Sequence, residues 1–313
     1  MTTVKAARIH AYGGSEAVRV EEVELPARSN GQILVRVHDA GVNPVDWKIR
    51  SGYLRQVAPL PLPFTLGGDF SGVVEEVPAG LGFKTGDEVF GTAVVLAGGS
   101  GSFAEECLAP AGAVAAKPNS VSHAEAAALP LVGVSALQAL TEHLRVAAGQ
   151  RVLIHGGAGG IGSAAIQLAK HLGAHVATTV RGDDVDYVKR LGADIVIDYK
   201  TRKFEEAVGA QDAVLDTVGG DTYARSFKIL KKGGRLVSML EQPNQRLMNE
   251  HGVEASFLMT QVSAERLAKL AKLVDHWALK VRVGETFPLS EASAALLHQE
   301  KNPPRGKIVL AIA

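Results

Sequence analysis

The feature that most constrains the fold is an apolar run that passes through a glycine-rich turn into a helical pattern. It is the stretch VLIHGGAGGIGSAAIQLAK at residues 152–170. Gly157, Gly159 and Gly162 give the pattern G-x-G-x-x-G, which alone is weak evidence because glycine-rich turns are common. Here it follows a strand, opens a helix and stands at the head of repeated βα units, which is the context that indicates a dinucleotide-binding turn.

Each glycine of this turn has a physical reason. The first lets the chain turn sharply, Gly159 lets a pyrophosphate approach the backbone, and Gly162 lets the helix pack closely on the strand. The helix N-terminus then offers free N–H groups to the phosphates. We therefore predict that the cofactor contacts the whole turn, namely Gly157, Ala158, Gly159, Gly160, Ile161 and Gly162.

From Arg151 onward, strands alternate with helices. The pattern predicts strands at 151–155, 174–180, 193–199, 212–218, 234–240 and 253–259. It predicts helices at 160–172, 184–191 and 221–231. Apolar runs such as ADIVIDY are typical of central parallel strands covered on both faces, so we expect a doubly wound sheet.

The first 120 residues are β-rich instead, with short strands at 18–25, 33–41, 64–77 and 86–94. They predict a small, partly open barrel. The closing strand at 306–313 is expected to return to it, after a helix at 263–279. We therefore predict a catalytic domain made of residues 1–122 and 263–313, with the dinucleotide-binding domain, residues 123–262, inserted between them.

Charge and cysteine content exclude several classes of function. The formal net charge is 0 and there is no long cationic block, which argues against nucleic acid or a membrane as partner. The single cysteine, Cys107, cannot form an internal disulfide, and we expect it to be a small core residue. The N-terminal residues lack the apolar core of a secretion signal, and no apolar run is long enough to span a bilayer, so we predict a cytoplasmic protein.

The end of the second strand indicates which dinucleotide is bound. NAD sites place an acidic residue there, but this strand ends as VATTVRGDD, with Thr179 and then Arg181. Without the carboxylate, a 2′-phosphate is not repelled, and a guanidinium can hold it. We predict NADPH, with Thr179 and Arg181 among its contacts. Arg181 would lie at the 2′-phosphate or, alternatively, be a solvated loop charge. Tyr199 is expected beside the adenosine end, unless it only closes the edge of the core.

Four further motifs are AGVNPVDWKIRSG (40–52), LGGDFSGVV (66–74), GDEVFG (86–91) and GGRLVSM (233–239). In this order and spacing, the chain resembles the medium-chain dehydrogenase/reductase superfamily, and more narrowly its zinc-independent NADPH:quinone oxidoreductase and alkenal (enone) reductase branch. The resemblance covers nearly the whole chain. It implies an α/β fold in which a GroES-like, partly open β-barrel catalytic domain is joined to a doubly wound Rossmann domain.

The resemblance also shows which ligands are missing. Zinc alcohol dehydrogenases of this superfamily carry a cysteine at the position of Asn43 and a Gly-His-Glu motif where this chain has Gly67-Gly68-Asp69. Zinc needs three or four suitable ligands, so we predict no metal. Without a Lewis acid, the implied chemistry is hydride donation to an acceptor that is already electrophilic, a quinone or an α,β-unsaturated carbonyl.

The family also implies catalytic positions. Asn43 would lie by the nicotinamide and the substrate, where its amide donates to an oxyanion or to the nicotinamide ribose, or it only ties down the backbone. The phenol of Tyr53 would reach a carbonyl, or the ring is only a rim aromatic. Asp46 either fixes this loop or contacts substrate. Lys307 either faces the cofactor cleft or is a surface charge.

Further cofactor contacts are expected on the second domain. Ser135 would meet the nicotinamide end or cap a helix. Val218 and Leu240, which follow the fourth and fifth strands, would be apolar contacts to the adenosine and the nicotinamide respectively. Phe257 and Met259 would line either the cofactor cleft or the seam of a homodimer, because the family pairs its last sheet strand across a two-fold axis and an exposed apolar edge strand is a liability in a monomer.

Two functions therefore remain at this point. The first is a zinc-independent, NADPH-dependent reductase of small-molecule quinones or enones, in which donors must stabilise the oxyanion that hydride transfer creates. The second is an NADPH-binding redox sensor or structural protein that has lost its catalytic activity because the acceptor cleft is blocked.

Overall fold

The computed structural model describes residues 3–313, and the chain divides into two compact units. The first unit contains the residues through Leu131 together with 262–276 and 281–313, and the second contains 132–261 and 277–280. The second unit is thus inserted into the chain of the first. The border lies later than the position 122 expected from the sequence, because the helix at 123–127 packs on strands of the first unit.

The elements are numbered along the chain. Up to residue 127 they are β1 (Thr3–Ile9), β2 (Val18–Glu24), β3 (Gln32–Val42), α1 (Pro44–Arg50), β4 (Phe64–Thr65), β5 (Asp69–Glu76), β6 (Glu88–Thr92), β7 (Glu106–Pro110), β8 (Val114–Ala116) and α2 (His123–Ala127). Next come α3 (Pro130–Gln138), β9 (Arg151–His155), α4 (Gly160–His171), β10 (His175–Val180), α5 (Val185–Arg190), β11 (Ile195–Asp198), α6 (Phe204–Ala207), β12 (Gln211–Asp216), α7 (Asp221–Ser226), β13 (Leu230–Ser238), α8 (Gln245–His251) and β14 (Glu254–Phe257). The last are α9 (Ala264–Asp275), β15 (Val283–Pro288), α10 (Ala292–Lys301) and β16 (Lys307–Ala311).

The first unit is built on a seven-stranded sheet in the order β15-β16-β3-β5-β6-β8, with β7 paired to β3 beside this path. A smaller sheet has the order β2-β1-β4. The closing strand β16 runs antiparallel to β3, with Ile308 opposite Val42 and Leu310 opposite Ala40. The C-terminus therefore returns to the N-terminal barrel, as the sequence predicts, and residue 307 comes beside residue 43.

The inward residues of these strands form the core of the first unit. Ile33, Phe70, Phe103 and Leu310 are among its fully buried members. Cys107 lies in the same core and is free, and burial raises the pKa of its thiol. It is therefore a packing residue, as expected.

The second unit contains a six-stranded, fully parallel sheet in the order β11-β10-β9-β12-β13-β14. Its central strands are apolar and buried, as is typical of parallel strands. The strand order reverses between β10 and β12, beside β9. In doubly wound sheets, ligands bind at the carboxyl ends of the strands next to this reversal.

Several element boundaries differ from those predicted. The helix expected over 221–231 ends at Ser226, and the strand expected over 253–259 covers Glu254–Phe257. β12 ends at Asp216 and β13 at Ser238, each two residues earlier, so that Val218 and Leu240 lie in turns. The helix expected to reach residue 279 ends at Asp275, because Trp277 takes up a left-handed backbone with a φ of 60°. Within residues 3–313, we find no helix with both the length and the apolar character needed to cross a membrane.

Candidate active site

The glycine-rich turn joins β9 to α4 in the second unit. Gly156 takes a φ of 74°, a conformation that favours glycine, and starts the turn. A methyl group on Gly162 would overlap the carbonyl oxygen of Gly156, so this glycine is required for the contact of the helix with the turn. A methyl group on Gly159 would lie 3.4 Å from that same oxygen, so the fold itself leaves room there. Packing within the fold therefore does not require a glycine at position 159.

The first turn of α4 can hold a phosphate. Gly159 is the N-cap residue, and the first helical hydrogen bond runs from the backbone N–H of Ser163 to its carbonyl. The N–H groups of residues 160–162 precede that bond, as the first donors of a helix do. Together with the helix dipole over twelve residues, they form a site for an anion.

A buried hydrogen-bond chain fixes the turn from below. The backbone N–H of Gly156 donates to Oγ1 of Thr179 (3.3 Å), which lies 3.1 Å from Nδ1 of His155. Nε2 of His155 lies 3.0 Å from Oγ of Ser226, and that hydroxyl donates to the carbonyl of Thr222. Since the single Ser226 proton is used there, Nε2 carries the imidazole proton and Nδ1 accepts from Thr179.

Burial supports this protonation state. His155 is fully buried against the ring of Phe204, and desolvation lowers the pKa of its imidazole to about 4. The ring is therefore neutral at physiological pH. The side chain of Thr179 is also buried, and its hydroxyl belongs to this chain of bonds and not to the surface. Thr179 thus has a structural role beneath the glycine turn, and its contact with the cofactor stays a prediction.

Asp216 and Ser238 link the turns that follow β12 and β13. Oδ1 of Asp216 accepts from the backbone N–H groups of Val218 (3.0 Å) and Gly219 (2.9 Å). Oδ2 accepts from the Ser238 hydroxyl at 2.7 Å. The same hydroxyl oxygen accepts from the backbone N–H of Leu240 at 3.1 Å. One buried carboxylate thus orients both turns.

The structure brings Val218 and Leu240 to the edge of the sheet where the glycine turn lies. A methyl group on Gly156 would sit 3.5 Å from Cγ2 of Val218, and one on Gly219 would sit 3.3 Å from Cδ1 of Leu240. Both side chains are about half exposed, at 50% and 47%. They form an accessible apolar surface beside the glycine turn, and their contacts with the cofactor stay a prediction.

Three residues meet at the ends of β10 and β11. The last residues of these strands pair in parallel, so Arg181 and Tyr199 emerge side by side. Arg181 is exposed and Tyr199 is 51% exposed. Nζ of Lys200 lies 5.4 Å from the centre of the Tyr199 ring. This corner presents two cations and an aromatic ring, and sequence reasoning missed Lys200.

The remaining predicted cofactor contacts of the second unit differ in how exposed their side chains are. Ser135 lies inside α3, is fully buried, and its hydroxyl is 2.6 Å from that of Thr260. It is therefore not a helix cap, and its contact with the nicotinamide end stays a prediction. Phe257 is half-buried at the end of the edge strand β14, whereas Met259 is 72% exposed.

A second polar centre lies in the first unit, around Asn43. Nζ of Lys307 donates to Oδ1 of Asn43 and to the carbonyl of Val42, both at 2.5 Å. The pairing of β16 with β3 creates this contact between residues far apart in the sequence. Lys307 is buried and is thus not the surface charge that one alternative expected.

The other polar atoms of Asn43 are also bound. Its Nδ2 donates to Oδ2 of Asp69 (2.9 Å), an oxygen that also accepts from the backbone N–H of Leu131 (3.0 Å). Its backbone N–H donates to Oδ2 of Asp46 (2.7 Å), which completes a capping box at the start of α1. Asp46 therefore fixes the loop, one of the two roles expected for it.

All four residues of this centre are buried: Asn43, Asp46, Asp69 and Lys307 are at most 5% exposed. Desolvation raises the pKa of Asp46 to about 7 and that of Asp69 to about 6, although the Lys307 ammonium opposes the shift. Burial likewise lowers the pKa of Lys307, and the two carboxylates oppose it. The centre is a compact cation–carboxylate network around one amide.

Tyr53 lies outside this network. It follows α1, is 74% exposed, and its ring centre is 5.8 Å from Nζ of Lys48. The same ammonium lies 5.8 Å from the ring of Trp47, which packs partly against the core. Among residues 3–313, no group of three or more His, Cys, Asp or Glu side chains is arranged to hold a metal ion.

Comparison with known proteins assigns the family. The first unit matches the alcohol dehydrogenase GroES-like domain over residues 29–119, and residues 191–310 match a family described as zinc-binding dehydrogenase. The mitochondrial NAD(P)H oxidoreductase RTN4IP1 of Bos taurus is 33% identical, with 99% of this chain and 89% of that protein covered. The chain belongs to the medium-chain dehydrogenase/reductase superfamily.

Within this oxidoreductase superfamily, similar proteins fall in the predicted branch. The quinone oxidoreductase from Coxiella burnetii superimposes with a TM-score of 0.90 at 34% identity, and 100% of both chains is covered. The chloroplastic NADPH-dependent alkenal/one oxidoreductase of Arabidopsis thaliana is 32% identical over 96% of this chain and 77% of its own. The predicted fold, a GroES-like domain with a Rossmann-type parallel sheet, is confirmed.

Proposed function

We propose that this medium-chain dehydrogenase/reductase transfers hydride from NADPH to a small quinone or α,β-unsaturated carbonyl and needs no zinc. The observation that carries the proposal is the state of Asn43. Where zinc enzymes of the superfamily have a cysteine, this chain has an amide bound to an ammonium and a carboxylate. A centre of this kind can donate a hydrogen bond to an oxyanion.

The second unit supplies the residues for the cofactor. The diphosphate would lie on the N-terminus of α4, over Ala158, Gly159, Gly160 and Ile161, where Gly159 has no packing duty within the fold. Arg181, with Tyr199 and Lys200 beside it, would hold the 2′-phosphate and the adenosine. Bound NADPH supplies the hydride. The names of relatives favour this choice of cofactor, since one is an NADPH-dependent alkenal/one oxidoreductase.

The donor set around Asn43 argues against zinc at this centre. An amide replaces the cysteine, and Gly68 has no side chain to replace the histidine. Asp69 already binds Asn43 and Leu131. The Lys307 ammonium lies against Asn43, and a cation there would repel a second one. We therefore assign the chemistry to an acceptor that is electrophilic without a Lewis acid.

The chain's own part in the reaction is to stabilise charge. Hydride arriving at the β-carbon of an enone moves the π electrons onto the carbonyl oxygen, and a quinone likewise leaves a phenolate-type oxygen. Asn43 has one Nδ2 hydrogen committed to Asp69, and we assign the other to this oxygen. Water then protonates the α-carbon of the enolate, or the oxygen of the hydroquinone anion. For Tyr53, exposure of the phenol is consistent with a second donor.

Location and assembly stay predictions. Some relatives carry mitochondrial or chloroplastic names, and a cytoplasmic location for this chain rests on its sequence alone. A homodimer paired through β14 is supported by the position of that strand, which is hydrogen-bonded to β13 at the end of the sheet order.

A kinetic screen tests the proposal. Purified protein is given NADPH or NADH with simple quinones and alkenals in parallel, with and without a chelator. We expect oxidation of NADPH in preference to NADH with at least one acceptor class, and no loss of rate with chelator. Tight NADPH binding without any turnover would instead favour the alternative function, an NADPH-binding redox sensor or structural protein without catalytic activity. Turnover abolished by chelator and restored by zinc would overturn the metal-free assignment.

A further inference from the structure

Lys307 is a buried cation that the proposed function does not yet use. It opens β16, whose next three residues, Ile308, Val309 and Leu310, are completely buried and apolar. A lysine in such a position loses the hydration of its ammonium, which is costly unless the charge is compensated. Its side chain nevertheless ends within the polar centre, where Asn43 accepts one of its hydrogen bonds.

The partners of Asn43 fix which way its amide points. The Lys307 ammonium only donates, so the amide atom that faces it must be the oxygen. Oδ2 of Asp69 accepts from the backbone N–H of Leu131, and the amide atom that faces it is the nitrogen. The amide is therefore held at both ends, and its remaining Nδ2 hydrogen has one defined direction.

The ammonium also supplies charge. A cation on the carbonyl oxygen of an amide withdraws electron density and makes the N–H groups stronger donors. Zinc relatives place a metal ligand at the position of Asn43, whereas this chain places a fixed positive charge on the Asn43 oxygen. The positive charge is thus supplied by residue 307, which lies 264 positions away in the sequence.

We propose that Lys307 is a positioning residue for the reduction: its ammonium orients and polarises Asn43, so that the remaining Nδ2 hydrogen stabilises the oxyanion formed by hydride transfer. This inference rests on the proposed function. For an enone, NADPH supplies the two electrons and the hydrogen. The π pair of the C=C bond forms the C=C bond of the enolate, the π pair of the carbonyl moves onto its oxygen, and water supplies the final proton. Lys307 keeps its own proton throughout.

The test uses a charge-balanced variant. Lys307→Met alone leaves Asp46 and Asp69 buried without their cation, so we combine it with Asp46→Asn, which removes one negative charge and retains an oxygen to cap Asn43. Lys117→Met is the matched control. Lys117 is a lysine of the first unit whose side chain is only 7% exposed. It is bound to Glu88 (3.2 Å) and to the carbonyl of Val121 (2.9 Å), outside the polar centre.

We expect K307M/D46N to melt within a few degrees of the wild type and to bind NADPH with unchanged affinity, measured by nucleotide fluorescence. Its kcat for an enone should fall about 10- to 100-fold, the range for loss of part of an oxyanion donor. The fall should be smaller for a quinone, because the oxygen of a hydroquinone anion is less basic and depends less on the donor. K117M should keep both rates.

The outcomes separate the two proposals. A wild type that reduces neither acceptor class would refute the proposed function itself. An active wild type whose K307M/D46N variant matches K117M in kcat would overturn the role of Lys307. Equal losses for enone and quinone, accompanied by weaker NADPH binding, would also overturn it, because they would indicate general damage to the fold.

Discussion

At the scale of single residues, the choice between nucleotides depends on Arg181. Its guanidinium is exposed at the end of β10 and has Tyr199 and Lys200 beside it at the end of β11. A charge-assisted contact to a phosphate contributes about 1.5–3 kcal/mol, or roughly 10- to 100-fold in affinity. Arg181→Asp should therefore raise KM for NADPH by that factor and shift preference toward NADH.

The measurement is the ratio of kcat/KM for the two nucleotides. Arg19→Asp, an equally drastic change at an exposed arginine on β2 of the first unit, is the control and should leave the ratio as in the wild type. An unchanged ratio in R181D would show that the 2′-phosphate lies elsewhere.

A second residue-scale prediction concerns pH. Burial raises the pKa of Asp46 to about 7 and of Asp69 to about 6, above the ordinary value of 3.8. Protonation is therefore favoured by folding, so these groups stabilise the fold below about pH 4 and lose that contribution as pH rises through about 7. Between about pH 5 and pH 8, the free energy of unfolding should fall more in the wild type than in D46N/D69N.

Denaturant titration at the two pH values measures this difference. D46N/D69N also lacks the two carboxylates that oppose the lowering of the Lys307 pKa, so Lys307 loses its proton more readily in that variant. A lowered pKa of a lysine makes stability rise with pH, so this effect increases the expected difference in the same direction. The exposed Asp221→Asn variant is the control and should follow the wild type. A wild type whose stability falls no more than that of D46N/D69N would mean that the two carboxyls are ionised in the fold without cost.

The sequence predicts single residues well only where a motif carries them. The NPVD motif identifies Asn43, the N-cap residue of α1, and the same motif contains Asp46, the N3 residue of its capping box. The partnership of Lys307 with Asn43 depends on the register of β16 on β3, a contact across 264 positions that no local pattern encodes. His155 and Asp216 were missed for the same reason, since they act through side chains on other strands.

At the scale of elements, the glycine turn has two separable roles, packing against α4 and binding of the diphosphate. Gly162 makes the contact between α4 and the turn, and a methyl group there would overlap the Gly156 carbonyl oxygen. Gly162→Ala should therefore lower the free energy of unfolding by about 1–3 kcal/mol through overpacking. A methyl group on Gly159 has room in the fold, so Gly159→Ala should melt like the wild type but bind NADPH at least about tenfold more weakly.

Thermal melting and a fluorescence titration with NADPH distinguish the two effects. Gly112→Ala, at a position where a methyl group meets nothing within 4 Å, is the control for both. If G159A bound NADPH as tightly as the wild type, the diphosphate would not lie against this residue.

Most elements were predictable because their signals are local. Ser122 and Glu125 form the capping box expected at the start of α2. The apolar strands and the turn of the Rossmann unit follow from periodicity and from glycine spacing. The ends of β12 and β13 were placed two residues too late, because Asp216 and Ser238 terminate them by binding backbone N–H groups of the turns, a side-chain effect that hydrophobic patterns do not report.

At the scale of the whole molecule, the sequence leaves two roles open for the edge strand β14 and the residues after it. Met259 is 72% exposed, and it was predicted to line either the cofactor cleft or a dimer seam. Light scattering should give a wild-type mass of twice 32.8 kDa. If Met259 lies at the seam, Met259→Lys should give monomers that bind NADPH normally, because a buried ammonium without a partner is costly.

Leu297→Lys, at an exposed position on α10 of the first unit, is the control and should remain dimeric. A dimeric M259K protein with weakened NADPH binding would assign the residue to the cofactor instead. A monomeric wild type would refute pairing through β14.

The central claim is that this chain moves a hydride from NADPH directly to an activated acceptor without a metal. The most direct test uses NADPH that carries deuterium at both C4 positions of the nicotinamide, with an alkenal or enone as acceptor. The protein is first treated with chelator, and its metal content is measured by mass spectrometry. We expect metal-free protein to yield a saturated product with one deuterium at the β-carbon; a metal-free protein that gives no product, or a product without that deuterium, would contradict the account.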